Sequence, residues 1–350
     1  MKKYALVTGS SGLIGSESVS YLCNNGFEVI GIDNNLREFF FGKEASINWN
    51  TKRLSKLHST NFKALDLDIR NFSELEAVFK DIPFELIIHA AAQPSHDWAA
   101  SDPQTDFSVN ANGTLNLLEL TRKYRPNATF IFTSTNKVYG DNPNKLPLTE
   151  LNSRFEIEKN NQYFNGIDES MSIDQTTHSL FGVSKTSADL LTQEYSRYFG
   201  LNTAVFRGGC LTGPMHSSAK LHGFLAYLVK SIVNDIPYTI FGYKGKQVRD
   251  NIHSKDLINM FIEFHNDPKK NAVYNVGGGR SNSISILEAI EKISKAAKKN
   301  PTIHLKEENR IGDHQWYITN NSKFQKDYPN WSITYSLENL IDEMVFIAKK

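Results

Sequence analysis

Thr8-Gly9-Ser10-Ser11-Gly12-Leu13-Ile14-Gly15 follows directly on the apolar run Tyr4-Ala5-Leu6-Val7, and this junction decides the fold. A run of β-formers, then small residues, then an apolar-periodic segment reads as strand, tight turn and helix. Glycines at the turn let the backbone close on a phosphate at the helix N-terminus. Residues 13–24 carry helical spacing and stop at Asn24-Asn25-Gly26. The next strand, 28–33, completes a strand-helix-strand unit of the size a dinucleotide site needs. Asp33 stands at its end, where a carboxylate accepts hydrogen bonds from the adenosine ribose hydroxyls and repels a 2′-phosphate, favouring NAD over NADP. Read locally, Asp33 is equally a turn aspartate.

Working outward, the pattern lapses over 36–59, a stretch holding Phe39-Phe40-Phe41 and Trp49. It is expected to be a long irregular connection leaving the edge of the sheet where ligands bind. Strands are expected at 62–66, 85–92 and 129–134. Ser73-Glu74-Leu75-Glu76 has the form of a capping box for a helix ending near Pro83. Residues 93–103 read as a loop, and a helix carries Val109 to Thr114. Alternation this regular implies an α/β fold, a Rossmann-type doubly wound parallel sheet. Residues 144–177 are polar and without period. Structure resumes as a helix at 179–199, a strand at 202–207, a helix near 221–234, a strand at 246–252, a helix at 254–265, a strand at 272–276 and a helix at 283–298. The tail from Pro301 carries mixed signals and two tryptophans.

The 350 residues suggest about two lobes at a prior of ~100–200 residues each. The expected division is an NAD-binding domain from 1–145, 178–207 and 246–276, with a smaller, discontinuous substrate-binding lobe from 146–177, 208–245 and 277–350. With 40% hydrophobic and 22% charged residues the composition is that of an ordinary globular protein, not a disordered one. A net charge of +1 with scattered Lys and Arg gives no footprint for nucleic acid or an anionic membrane. The basic cluster Lys295, Lys298, Lys299 reads as a solvated helix C-terminus. Cys23 and Cys210 make neither a disulfide framework nor a metal-spaced group, so no metal is expected and a reducing cytosol fits. The chain enters a strand at once, and no apolar run approaches ~18 residues, so a cytoplasmic protein is expected.

Thr8 to Gly15, Asp33, Asp66-Leu67-Asp68-Ile69-Arg70-Asn71, His89-Ala90-Ala91-Ala92, Asn110, Ser134-Thr135-Asn136-Lys137-Val138-Tyr139-Gly140, Lys185, Arg249-Asp250-Asn251-Ile252-His253 and Arg310-Ile311-Gly312-Asp313 appear in one order along the chain. Together they resemble the extended short-chain dehydrogenase/reductase family, and within it the nucleoside-diphosphate-sugar epimerases and dehydratases. The stretches from Gln93 to Pro103, Thr135 to Asp141 and Gly245 to Asp250 look like the CDP-paratose 2-epimerase (CDP-tyvelose epimerase) subgroup.

The resemblance implies NAD held by Gly9, Ser11, Gly12, Leu13, Ile14, Gly15, Asp33, Asn34, Asp68, Ile69, Ala90, Ala91, Ala92, Asn110, Ser134 and Lys185. It implies a nucleoside-diphosphate sugar contacted by Gln93, Ser95, His96, Trp98, Asn136, Lys137, Arg207, Arg249, Arg310 and Asp313. It also implies a homodimer or homotetramer through helices of the NAD domain. Arg249 and Arg310 match diphosphate clamps, for which a planar, bidentate cation suits; a surface ion pair with Asp250 or Asp313 is the plainer reading. Arg207, beside Gly208-Gly209, reads equally as structural, and Trp98 as a cover for the core.

The chemistry accounts for these residue types. A carbinol without an acidic C–H inverts through a ketone: hydride leaves to NAD, the centre becomes planar, and hydride returns to the other face. The family does this with a tyrosinate, a lysine four residues later that lowers the tyrosine pKa from about 10, and a Ser or Thr bonded to the reacting oxygen. Thr135 and Lys185 match; the tyrosine position is Phe181. Phe181 and Lys185 lie one helical turn apart on one face, and a phenyl ring carries no proton.

Three readings stand open: a deliberate Tyr-to-Phe change, a base moved elsewhere, or a binding protein without turnover. For a moved base the candidates are His178, Lys137 and Cys210, each also readable as a helix cap, a substrate or ribose contact, and a small packed residue respectively. The expected function is C2 epimerisation of a CDP-sugar. The alternatives are another nucleotide-sugar oxidoreductase or dehydratase, against which Asn136-Lys137 stands where a dehydratase has Asp-Glu, and a silent NAD or nucleotide-sugar binder.

Overall fold

Seven strands, β1 (Lys3–Thr8), β2 (Phe27–Ile32), β3 (Phe62–Leu65), β4 (Phe84–His89), β5 (Thr129–Thr135), β6 (Asn202–Gly208) and β7 (Ala272–Val276), form one parallel sheet in the order β7-β6-β5-β4-β1-β2-β3. β1 pairs with β2 on one side and with β4 on the other, so the order reverses there and opens a crevice at the strands' carboxyl ends. The computed structural model describes residues 2–216, 223–309 and 312–350. β1 and β4 are apolar runs buried almost throughout, the signature of strands covered on both faces.

The covering helices are α1 (Leu13–Asn24), α2 (Leu36–Phe41), α3 (Asn48–Leu57), α4 (Phe72–Asp81), α5 (His96–Ser101), α6 (Pro103–Phe107), α7 (Gly113–Tyr124) and α8 (Leu180–Phe199). Leu6, Ile30, Ile87, Leu117, Phe130, Phe132 and Val205 centre the core of this sheet.

Three local expectations are corrected. The connection over 36–59 is not irregular: α2 and α3 occupy most of it. Asn35, in the left-handed region at φ 54°, turns the chain, and its side chain reaches Glu38, Ser46 and the Ile47 amide. Helices this short, pinned by side-chain bonds more than by an apolar stripe, leave little period to read. Ser73 is not the cap of α4. Asn71 is, its Oδ1 accepting from the Glu74 amide at 3.4 Å, while the Ser73 hydroxyl donates to that same oxygen. The loop 93–103 contains α5, capped by Ser95. Between α6 and α7 the chain makes a π-turn over Ser108–Asn112, the kind of helix irregularity that collects at functional sites.

By contacts the chain divides into a first unit of 1–138, 180–207 and 258–274 and a second of 139–179, 208–257 and 275–350. Residues 139–145, 178–179, 246–257 and 275–276, grouped with the first lobe on sequence, fall in the second unit. That unit has its own core, built by helices Phe224–Val233, Ile286–Ala297 and Leu337–Ala348 with Ile240 and Ile284. Its strand Val248–His253 pairs antiparallel with Ser283–Ser285 and parallel with Cys210–Thr212 and Trp316–Tyr317. A capping box of Ser285 and Glu288 starts Ile286–Ala297. No helix among the described residues is long and apolar enough to cross a membrane.

The turn after β1 leaves no room for a side chain at Gly9 or at Gly15. A Cβ on Gly15 would stand 2.0 Å from the Gly9 carbonyl oxygen, and one on Gly9, at φ +66°, would stand 2.7 Å from the Ala91 nitrogen. Gly15→Ala is therefore expected to lower the thermal midpoint by roughly 1–4 °C, the shift an overpacking penalty of about 1–3 kcal/mol gives in a chain of this length, and a midpoint equal to or above the parent's would contradict this packing.

Candidate functional site

The first unit gathers the glycine turn at the crevice. α1 opens at Gly12 in extended backbone, with no side chain capping it and no acidic residue in its first turn. Its leading amides and the positive end of its dipole therefore suit an anion. Gly12 is open where Gly9 and Gly15 are crowded: a Cβ there meets only the Gly9 carbonyl oxygen, at 3.4 Å. Asp33 lies just beyond β2. Its Oδ2 accepts from the Ser11 amide at 3.0 Å and its Oδ1 from the Asn35 amide at 2.9 Å. Burial pushes its carboxyl up, and the Asn35 and Ser11 amides counter that.

A carboxylate fastened to both the phosphate turn and the following turn has lone pairs left for ribose hydroxyls. The donor set and the cradle therefore fit a dinucleotide. Asn34 donates to Asp68 Oδ2 at 3.0 Å, which joins the turns after β2 and β3. His89 at the end of β4 bonds Thr8 through Nδ1 at 2.7 Å and Thr114 through Nε2 at 2.9 Å. Burial drives its pKa down to about 3, so the imidazole is neutral, a rigid strut that sets where Ala90, Ala91 and Ala92 emerge.

Beside this cradle, β5 and α8 carry the residues of the expected proton chemistry. Phe181 and Lys185 are both buried on α8. Lys185 Nζ donates to the Thr133 carbonyl at 2.8 Å and lies 4.2 Å from the centre of the Phe132 ring. The Thr133 hydroxyl is buried with no hydrogen-bond partner, an orphan on the same strand face as Thr135. Thr135 Oγ1 accepts from the Lys137 amide at 3.2 Å and donates to Asn136 Oδ1 at 3.4 Å. The ring of Phe181 meets the His96 imidazole edge to face, with centroids 4.9 Å apart.

Several expected ligand contacts also take part in the frame. Gln93, fully buried, donates to Asp106 Oδ1 at 2.7 Å and to the Ser95 carbonyl at 2.9 Å, and its Oε1 accepts from the Ser95 amide. Ser95 is spent on capping α5. Asn110 donates to the Gln93 carbonyl, Asp106 and Ser184, tying the π-turn to α8. Arg207 forks onto Asp189, with Nε to Oδ2 at 2.9 Å and Nη2 to Oδ1 at 3.0 Å. Ser134 Oγ donates to the same Oδ2 at 2.7 Å. The pair is buried, so these side chains hold β5, β6 and α8 together. Trp98 packs on Phe40 at 4.4 Å and on Phe39 at 5.8 Å.

Asp106, Ser184 and Asp189 are members of this frame that no sequence motif marks. Their one signal was spacing: Asp189 stands one turn beyond Lys185, and Asp106 one turn before Asn110, each acid on the face its helix buries.

The second unit holds the other expected residues. Arg249 donates from Nη1 to the Val248 carbonyl at 2.7 Å and pairs with Asp313. The adjacent Asp250 is fully buried and accepts from the Gly279 and Thr319 amides; burial pushes it up to about 6. His178 is half-buried, and Cys210 lies half-buried in Cys210–Thr212. Arg310 lies outside the described residues. Among the described residues no group of three His, Cys, Asp or Glu side chains is placed to hold a metal ion.

Residues 5–277 match the NAD dependent epimerase/dehydratase family. Over 291 residues the chain is 36% identical to CDP-paratose 2-epimerase of Salmonella typhi, covering 81% of each. Over 298 residues it is 29% identical to UDP-glucuronate 4-epimerase of Thermodesulfobacterium geofontis, covering 85% of this chain and 81% of that one. The UDP-glucose 4-epimerase of Thermus thermophilus, solved with NAD, superposes with a TM-score of 0.78 at 22% identity, over 99% of this chain and 98% of that one.

Burial pushes the Lys185 ammonium down to about 7, against a partial pull upward from Asp189 and Asp106. An unfolded lysine keeps its proton to about pH 10.4, so between these values the unfolded chain binds the extra proton and stability rises with pH; the penalty is whole below the folded pKa and gone above the unfolded one. Lys185→Met is expected to raise the melting temperature of NAD-free protein more near pH 6 than near pH 10, and an equal shift at both would contradict a desolvated ammonium at this position.

Proposed function

We propose that this chain, which belongs to the NAD dependent epimerase/dehydratase family, is a nucleotide-sugar epimerase that inverts C2 of a CDP-sugar. NAD, when bound, supplies the hydride acceptor and donor. The turn Gly9, Ser11, Gly12, Leu13, Ile14 and Gly15 takes its diphosphate, and Asp33 takes the adenosine ribose and rejects a 2′-phosphate. Asn34, Asp68, Ile69 and Ala90 to Ala92 border it, with Asn110 and Ser134 bracing the wall behind. Thr135 offers its hydroxyl to the sugar oxygen, and Lys185 reaches the same wall from α8. Asn136, Lys137 and Trp98 border the sugar. Arg249, with Asp313 to orient it, serves the diphosphate.

The observation that carries this reading is the cradle fastened by Asp33 to Ser11, in a chain 36% identical to a CDP-paratose 2-epimerase. A homodimer or homotetramer in the cytoplasm completes the proposal. Phe181 favours one rival, a silent binder of NAD and nucleotide sugar, because its ring carries no proton.

NAD-loaded protein offered CDP-, UDP- and GDP-sugars separates these. Inversion of a CDP-sugar at C2 is expected by NMR, without net build-up of NADH and without solvent deuterium entering the sugar. Steady NADH accumulation would mean net oxidation. Bound NAD with no inversion of any sugar would favour the silent binder.

A further inference from the structure

The missing phenol leaves a question of chemistry: the hydroxyl proton of the sugar has to go somewhere when its carbon is oxidised. α5 packs against α8, and the ring that meets Phe181 from α5 is that of His96, at 4.9 Å between centroids and 63° between planes. The contact sets an imidazole directly against the phenyl that stands at the tyrosine position. His96 is half-buried, so it is neither sealed in the core nor loose in solvent.

Its position is also firmly set. Ser95 caps the helix that begins at His96. Gln93 holds the preceding loop to Asp106. Phe40 and Phe39 grip Trp98 on the same helix, and Ala99 is fully buried. A helix braced this way holds the backbone of His96 in place. Lys185, a second basic group on this wall, is turned to the Thr133 carbonyl.

We propose that His96 carries the proton that a tyrosine at position 181 would carry, an assignment that rests on the epimerase reading. In the forward half-reaction the sugar O–H bond breaks and its proton passes to an unprotonated nitrogen of the His96 imidazole. NAD, held by the glycine turn and Asp33, would supply the two-electron acceptor for the C–H bond at the same carbon as the C=O bond forms. In the return half the hydride comes back to the opposite face, and the imidazolium gives its proton to the oxygen, so nothing is gained or lost. Imidazole suits a carrier that must work in both directions, because it gains and loses its proton between pH 5 and 8.

The test uses NAD-loaded protein and two variants. His96→Gln is expected to retain NAD and lose at least about a hundredfold in inversion rate, the share typical of a general acid–base. Adding Phe181→Tyr to His96→Gln is expected to recover at least about tenfold by restoring a phenol. Histidine Cε1–H NMR of the parent gives a readout apart from turnover. The resonance missing from His96→Gln is expected to shift when the nucleotide sugar binds. An unchanged rate in His96→Gln, or a His96 signal blind to the sugar, overturns the assignment and leaves the epimerase standing. A parent that inverts no nucleotide sugar overturns the epimerase reading, and this assignment with it.

Discussion

The contact between Gly15 and the carbonyl of Gly9 is the constraint on which the rest depends. A Cβ at Gly15 would lie 2.0 Å from that oxygen, so the first turn of α1 packs on the turn after β1 only with glycine at position 15. This close approach aims the first amides of α1 over the end of β1, beside β2 and β4. It also brings the Ser11 amide within reach of Asp33. Local glycine geometry, strand order and the carboxylate at the end of β2 are three consequences of one packing requirement, and agreement across these levels is what specifies a fold.

Around that crevice the protein spends buried polar groups on rigidity. Asp189 collects Arg207, Ser134 and Gln193. Asp106 collects Gln93 and Asn110. Replacing such pairs by apolar residues is often neutral, yet removing one partner leaves a buried charge that costs about 3–5 kcal/mol. Their value here is positional. They lock β5, β6, α8 and the π-turn in register, so that Thr135, Lys185 and Phe181 share a wall. His89, neutral between Thr8 and Thr114, does the same for the loop leaving β4.

The sheet was legible because its signals are local and strong: buried apolar runs for β1 and β4, and helical spacing that marked α1 to its last residue. The turn with Asp33 was legible because glycine spacing and a strand-end acid have few other uses together. What stayed hidden depends on partners far away in sequence. Nothing near Arg207 says that Asp189 will take both of its nitrogens, and nothing near Gln93 says that Asp106 will bury its amide. α2 and α3 escaped because side-chain bonds from Asn35, more than an apolar stripe, organise them. The pairing of His96 with Phe181 joins two segments that only the packing of α5 on α8 brings together.

The central claim is that the glycine turn and Asp33 hold NAD, and hold it through turnover. Mass spectrometry of the ligands released from purified protein tests it most directly. NAD close to one per chain, with NADP absent, is the result this structure predicts. NADP in its place, or a dinucleotide-free protein whose melting temperature does not move when NAD is added, would contradict it.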